Sequence, residues 1–166
     1  MITKPSFLRS RSLKILLGVT LGVAVALTLL LLFVPEKEGF SHEAPGVLLC
    51  ADGTVTPCVV GLHGTMSTYA FDADRPICNA TLLLDGQEVG EVRLTFDGSY
   101  AAAGEDGIPA VLSKEREFAA LIHRDGTDCL LLSPAPEGKA AQELLARFLA
   151  DVPYARRQGW EAFQTE

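Results

Sequence analysis

The longest uninterrupted apolar stretch of the chain runs from Ile15 to Val34 and contains no charged residue. As a helix these 20 residues would extend about 30 Å, the thickness of the hydrocarbon core of a bilayer. Because lipid offers backbone groups no hydrogen-bonding partner, such a stretch must be helical. The pattern predicts a transmembrane helix over residues 15–34, ended by Pro35 and Glu36.

A cleaved signal peptide is the main alternative for this segment. Its apolar region would have about 7–15 residues and would be followed by a small-x-small cleavage site. Here the apolar run is longer and ends in Phe33-Val34-Pro35, so a retained anchor is favoured. Either outcome exports the rest of the chain.

The pattern changes to short strands beyond the anchor. Residues 35–46 are polar with Gly and Pro, which is typical of a linker. Asp-Gly pairs, which favour tight hairpins, then separate runs with strand character. We expect hairpins from 47–51 with 56–62, from 79–84 with 89–96 and from 118–123 with 129–133, a further strand at 65–71 and a loop at 101–109.

The period changes once more near the C-terminus. Between residues 137 and 152 the apolar positions recur at three-and-four spacing, which predicts one amphipathic helix that ends at Pro153. The predicted fold class is therefore α+β. A single transmembrane helix precedes a small antiparallel β-rich domain over residues 47–166, whose C-terminal helix covers one face and is followed by an aromatic and basic tail.

Charge gives the expected orientation. Residues 1–14 carry four basic and no acidic residues, which places this end in the cytoplasm by the positive-inside rule. The rest of the chain holds 10 basic and 21 acidic residues, and this excess of negative charge disfavours nucleic-acid binding. We expect a single-pass protein of a bacterial inner membrane with its domain in the periplasm.

All four cysteines lie beyond the anchor, which suggests two structural disulfides in an oxidising compartment. Three connectivities are possible, and we favour Cys50–Cys58 across the first hairpin together with Cys78–Cys129. No Cys-x-x-Cys motif or standard zinc spacing is present. We therefore expect neither a metal nor a cofactor.

Two segments have the composition of contact surfaces. Gly18, Gly22 and Ala26 form a stripe of small residues that would let the anchor pack against another helix, from a partner subunit or a second copy. The tail combines arginine with aromatic residues, as protein interfaces do. The tail residues are Tyr154, Arg156, Arg157, Trp160 and Phe163. The alternative is that Trp160 and Phe163 pack against the domain itself.

No catalytic motif is present: Gly-x-Ser-x-Gly, phosphate-loop and dinucleotide patterns are all missing, and no residue is assigned a catalytic role. Three functions stay open. The chain is expected to be a non-catalytic accessory or assembly subunit of an envelope membrane-protein complex. The alternatives are a tethered module that binds a ligand or peptide in a polar pocket, and a hydrolase that uses clustered His and Asp residues.

Overall fold

The computed structural model describes residues 11–103 and 107–164, so the predicted cytoplasmic segment lies mostly outside it. An N-terminal helix, α1, is followed by eight antiparallel strands that close into a barrel and by short C-terminal helices. The helices are α1 (Arg11–Phe33), α2 (Gly138–Asp151) and α3 (Pro153–Arg157), with a 3₁₀ turn at Trp160–Phe163. The strands are β1 (Glu36–Cys50), β2 (Val55–Tyr69), β3 (Asp72–Leu84), β4 (Gln87–Asp97), β5 (Tyr100–Ala103), β6 (Ala110–Ser113), β7 (Phe118–Arg124) and β8 (Thr127–Ser133).

Neighbouring strands pair in sequence order, and β1 returns to β8 to close the barrel. This closing seam is short, because only Val47–Cys50 of β1 pair with Cys129–Leu132 of β8. Gly46 lies where β1 leaves the seam. A Cβ atom there would lie 2.9 Å from the Leu132 carbonyl oxygen, so only glycine fits without a shift.

The barrel interior is filled by side chains, as expected for eight strands. Apart from the first half of β1, the inward positions are mostly apolar and buried, for example Leu62, Leu82, Leu94 and Leu131 at 0% exposure. Small inward residues on β5–β7, such as Ala101 and Ala120, accommodate the larger ones opposite. The interior is therefore a packed core.

Helix α2 packs on the outside of the barrel and forms a second core with the seam strands. Leu144, Leu145 and Phe148 contact the outward residues of β1 and β8, among them Leu49 and Leu130. At the seam, β1 and β8 are buried on both faces, so their sequences there are continuous apolar runs. In β4, by contrast, buried and exposed residues alternate. The antiparallel β-rich domain and its C-terminal helix are thus confirmed, with the sheet closed into a barrel.

Three local predictions need correction. Residues 36–46 are not a linker but the first part of β1, paired with β2 from Glu36 opposite Thr68 onward. Only Val34 and Pro35 separate the end of α1 from this strand. The polar alternation that suggested a linker reflects a strand exposed on its outer face. Part of the predicted loop at 101–109 belongs to β5, and the separate strand at 65–71 is largely the end of one long β2.

The predicted disulfide connectivity was wrong. The structure joins Cys50 to Cys129, which face each other across the seam, and leaves Cys58 and Cys78 as buried thiols. The first hairpin turns within four residues, so Leu49 faces Val55 and Cys58 lies farther along, opposite Gly46. Cys78 faces Met66, eight residues beyond Cys58 on β2, which separates the two thiols by roughly 26 Å.

The two free thiols are unreactive near neutral pH. Burial raises the pKa of Cys78 to about 11, and burial together with the nearby Asp85 carboxylate raises the pKa of Cys58 to about 11. Both are therefore protonated near neutral pH, and a protonated thiol is a poor nucleophile and a poor metal ligand. These cysteines act as small apolar core residues.

Helix α1 is long and apolar enough to span a membrane: its segment Lys14–Phe33 has 20 residues, a mean hydropathy of 2.7 and none of its surface buried. Its exposed apolar side chains, Ile15 to Phe33, contact no other part of the folded domain except at the C-terminal end. This is consistent with anchoring by a single helix.

Removing the Cys50–Cys129 disulfide should destabilise the barrel, because it closes a loop with a sequence separation of 79 residues. We expect Cys50→Ala/Cys129→Ala to lower the free energy of unfolding by about 2–5 kcal/mol. Urea titration of the full chain in detergent, followed by the fluorescence of its single Trp160, measures this.

The matched control is Cys58→Ala/Cys78→Ala, which keeps the disulfide. A reductant should destabilise this control by the same amount and should leave Cys50→Ala/Cys129→Ala unchanged. Continued sensitivity of the latter variant to reductant would show that another pair is bonded.

Candidate functional site

The first half of β1 has a strand neighbour on one side only. Within the described residues β1 pairs with β2 along its length but with β8 only from Val47 to Cys50. Upstream of Pro45 the opposite edge of β1 therefore has no strand partner in that part of the chain. We call Lys37–Glu43 the free edge. An unpaired edge of this kind can accept another extended chain.

The direction of the backbone groups on the free edge follows from Pro45. Its carbonyl accepts hydrogen bonds from the Ala135 N–H at 2.9 Å and from the Ser133 hydroxyl at 3.2 Å, so it points away from β2. The register to β2 runs without interruption, and backbone direction alternates along a strand. Lys37, Gly39, Ser41 and Glu43 consequently direct their N–H and C=O groups outward.

A pocket of about 350 Å³ opens into the barrel beside the free edge. Its wall is apolar, and its rim is formed by charged residues from β1 and from the turn between β6 and β7. The wall includes Phe40, Met66 and Phe96, and the rim includes Glu38, Lys114 and Arg116. Neither Lys114 nor Arg116 forms an ion pair with any residue that the structure describes. In an otherwise acidic domain, this rim offers two uncompensated cations.

His42 lies on the same inward face of β1 as Phe40, which lines this pocket. Its Nε2 atom is buried without a hydrogen-bond partner among the described residues. Burial, and secondarily the positive charge of Arg116, lower the pKa of His42 below its usual value. The sequence singled out this histidine only as part of a linker, because nothing in the residue pattern revealed that the strand begins at Glu36.

The other two histidines are exposed and lie apart. His63 is on the outer face of β2, where its Nδ1 lies 3.3 Å from the Ser41 hydroxyl, and it lines a surface pocket together with Glu91 and Arg93. His123 lies at the end of β7 and contacts Asp128 at 2.9 Å. No three His, Cys, Asp or Glu residues gather into a possible metal site anywhere in residues 11–103 and 107–164.

The C-terminal tail is used mainly by the fold. Trp160 is fully buried against α2 and α3, and its ring meets Tyr154 edge-on with centroids 6.4 Å apart. Arg156 donates hydrogen bonds to the Leu149 and Ala150 carbonyls, the last turn of α2, which stabilises that helix end. Trp160 therefore packs within the chain, which is the alternative that the sequence left open, and a partner contact through the tail stays a prediction.

The rest of the tail and the small-residue stripe remain surface features. Arg157 is exposed and Phe163 is half-buried, with its carbonyl accepting a 2.9 Å hydrogen bond from Gln142. Gly18, Gly22 and Ala26 lie on the exposed surface of α1, and no atom approaches a Cβ position at either glycine within 4 Å. A contact between helices at this stripe stays a prediction.

Truncating Trp160 should destabilise the domain, because its side chain fills the second core, between α2 and the barrel. We expect Trp160→Ala to lower the free energy of unfolding by about 3–5 kcal/mol, whereas Arg157→Ala should change it by less than about 0.5 kcal/mol. Urea unfolding followed by circular dichroism compares the two. Equal stabilities would mean that the tail is not packed as described.

His42 should make the barrel less stable on mild acidification. Its folded pKa lies below the unfolded value, so the unfolded chain binds the proton more readily and stability falls as the pH drops below about 6.5. We expect His42→Gln to reduce the slope of unfolding free energy against pH between about pH 7 and 5.5. An unchanged slope would assign the dependence to other groups.

Comparison with protein-family models, with curated proteins and with solved structures finds no significant match to this chain. Three features of the barrel bear on its function: its free edge, the pocket beside that edge, which we call the mouth pocket, and its direct connection to an apolar helix.

Proposed function

We propose that this protein is a membrane-anchored, non-catalytic accessory subunit whose barrel docks an extended segment of another membrane protein on the free edge of β1. The observation that carries the proposal is the position of that edge. It begins three residues beyond the end of an apolar helix, after Val34, Pro35 and Glu36, and presents outward backbone groups that no other described strand uses.

Strand addition fits this edge, because its outward backbone groups have no strand partner within the described residues. Backbone hydrogen bonds would supply affinity along Lys37–Glu43, and alternate side chains of the added segment would face either the solvent or the mouth pocket. The apolar wall and the two cations at the rim favour a segment that carries an apolar residue near a carboxylate. Selectivity among possible partner segments would come from this pocket.

The direct junction between α1 and β1 supports docking at the membrane surface. With only Val34 and Pro35 between helix and strand, the free edge cannot move far from the end of the anchor. The positively charged segment before the helix favours a cytoplasmic N-terminus, and hence a periplasmic barrel in a bacterial inner membrane. The Cys50–Cys129 disulfide fits an oxidising compartment.

A tethered ligand-binding module is the second candidate, and the mouth pocket is the observation that favours it. The packed interior leaves surface openings, of which the mouth pocket is one, and not the barrel centre, as places for a small molecule. An anionic ligand with a short apolar part would suit Phe40, Met66 and Arg116. A hydrolase is not proposed, because the Ser41–His63 contact is exposed and, among the described residues, no hydrogen bond or ion pair joins it to a carboxylate.

The matched pair Ser41→Pro and Ser41→Ala tests docking at the free edge. Both remove the hydroxyl that contacts His63, but only proline removes an outward N–H and places a ring at the edge. We expect Ser41→Pro to lose the co-purifying subunit from detergent-solubilised native membranes and Ser41→Ala to retain it. Native mass analysis of the tagged full chain provides the measurement.

Two results would contradict this function. The wild-type chain could run alone, at the 17.8 kDa mass of one copy, or Ser41→Pro could retain the same subunit as Ser41→Ala. A complex that contains only copies of this chain would instead point to self-association, through the edge if Ser41→Pro abolishes it or through the Gly18 and Gly22 stripe if it does not.

A further inference from the structure

We propose that the turn between β2 and β3, residues Tyr69–Phe71, is a second membrane contact that lies in the interfacial region of the bilayer. The inference rests on the proposed anchoring by α1. It adds that the barrel itself contacts lipid, through a defined aromatic group.

The geometry joins this turn to the end of the anchor. The ring of Phe33, the last residue of α1, lies 5.7 Å from the ring of Phe71, measured between centroids. Phe71 in turn lies 5.4 Å from the ring of Tyr69. These three rings, Phe33, Tyr69 and Phe71, form what we call the aromatic cluster, which continues the apolar surface of the helix onto the barrel.

The composition of this turn differs from that of the other tight hairpins. Four turns of the barrel are built on Asp-Gly pairs, at residues 52–53, 85–86, 97–98 and 125–126. The β2–β3 turn instead holds Ala70 and Phe71, and the Phe71 side chain is 59% exposed. Exposure of a large ring to water is unfavourable by the hydrophobic effect, so a turn of this composition is better suited to a partly apolar environment.

The depth of the cluster matches the place where aromatic rings are preferred. The apolar run of α1 spans about the thickness of a hydrocarbon core, so Phe33 at its end lies near the boundary with the headgroups. Tyr and other aromatic rings concentrate at this level. Asp72 and Asp74 follow the turn, so the contact would depend on apolar burial and would not require anionic lipid.

Two attachments to the membrane would restrict the orientation of the barrel more than a single attachment does. The peptide connection through Pro35 fixes the start of β1, and the β2–β3 turn would stop rotation of the barrel about that connection. The free edge of β1 would then keep one orientation relative to the bilayer, which suits the docking of a membrane partner.

The experiment places a tryptophan at the turn of the full chain and measures its depth in lipid. The variants are reconstituted into phosphatidylcholine vesicles with or without brominated acyl chains, which quench nearby indole rings. We expect most of the added emission of Phe71→Trp to be quenched, while Trp160 is buried in the protein and provides a constant background.

Val55→Trp is the matched control, because Val55 is 49% exposed and lies at the other end of β2, roughly 46 Å along the strand. Its emission should not be quenched. Leu32→Trp within α1 reports insertion of the helix. If Leu32→Trp is quenched and Phe71→Trp is quenched no more than Val55→Trp, the turn does not contact lipid. If Leu32→Trp is also unquenched, the anchoring fails as well.

Discussion

Closure of the sheet between β1 and β8 is the constraint on which the other features of this barrel depend. The seam has only four residue pairs, and it is strengthened by the Cys50–Cys129 bond and covered by α2. Opening it would expose inward residues such as Leu131 and outward residues such as Leu130 at the same time. Both cores therefore depend on the same four residue pairs of the seam.

The same constraint produces the candidate site. Because β8 ends at Ser133, the part of β1 before Pro45 has no strand partner on that side within residues 11–103 and 107–164. The strand continues toward the membrane helix with one edge unpaired, and the barrel wall opens beside it into the pocket lined by Phe40 and rimmed by Arg116. The edge, the pocket and the junction with α1 are thus consequences of where the barrel closes.

Local patterns predicted much of the fold. The Asp-Gly pairs located the β3–β4 and β7–β8 hairpins, the alternation in β4 predicted its two faces, and the three-and-four spacing predicted α2. What the sequence did not reveal is non-local. The pairing of Cys50 with Cys129 depends on register accumulated around eight strands, which no short pattern contains.

The candidate site was missed for a related reason. Residues 36–46 read as a linker because Gly39, Pro45 and alternating polar residues are typical of one, and only pairing with β2 makes them a strand. For the tail the sequence left two interpretations open, since Trp160 and Arg156 resemble interface residues, and the structure packs both against α2. One signal was available in the tail: Trp160 follows the amphipathic helix closely enough to fold back onto it.

Mapping the cysteines of the native chain tests barrel closure most directly. Free thiols are blocked during lysis, the chain is digested without reduction, and linked peptides are identified by mass spectrometry. Closure at this seam predicts one bond, between Cys50 and Cys129, with Cys58 and Cys78 reacting only after denaturation. A bond between Cys50 and Cys58, or alkylation of both Cys50 and Cys129 at lysis, would contradict it.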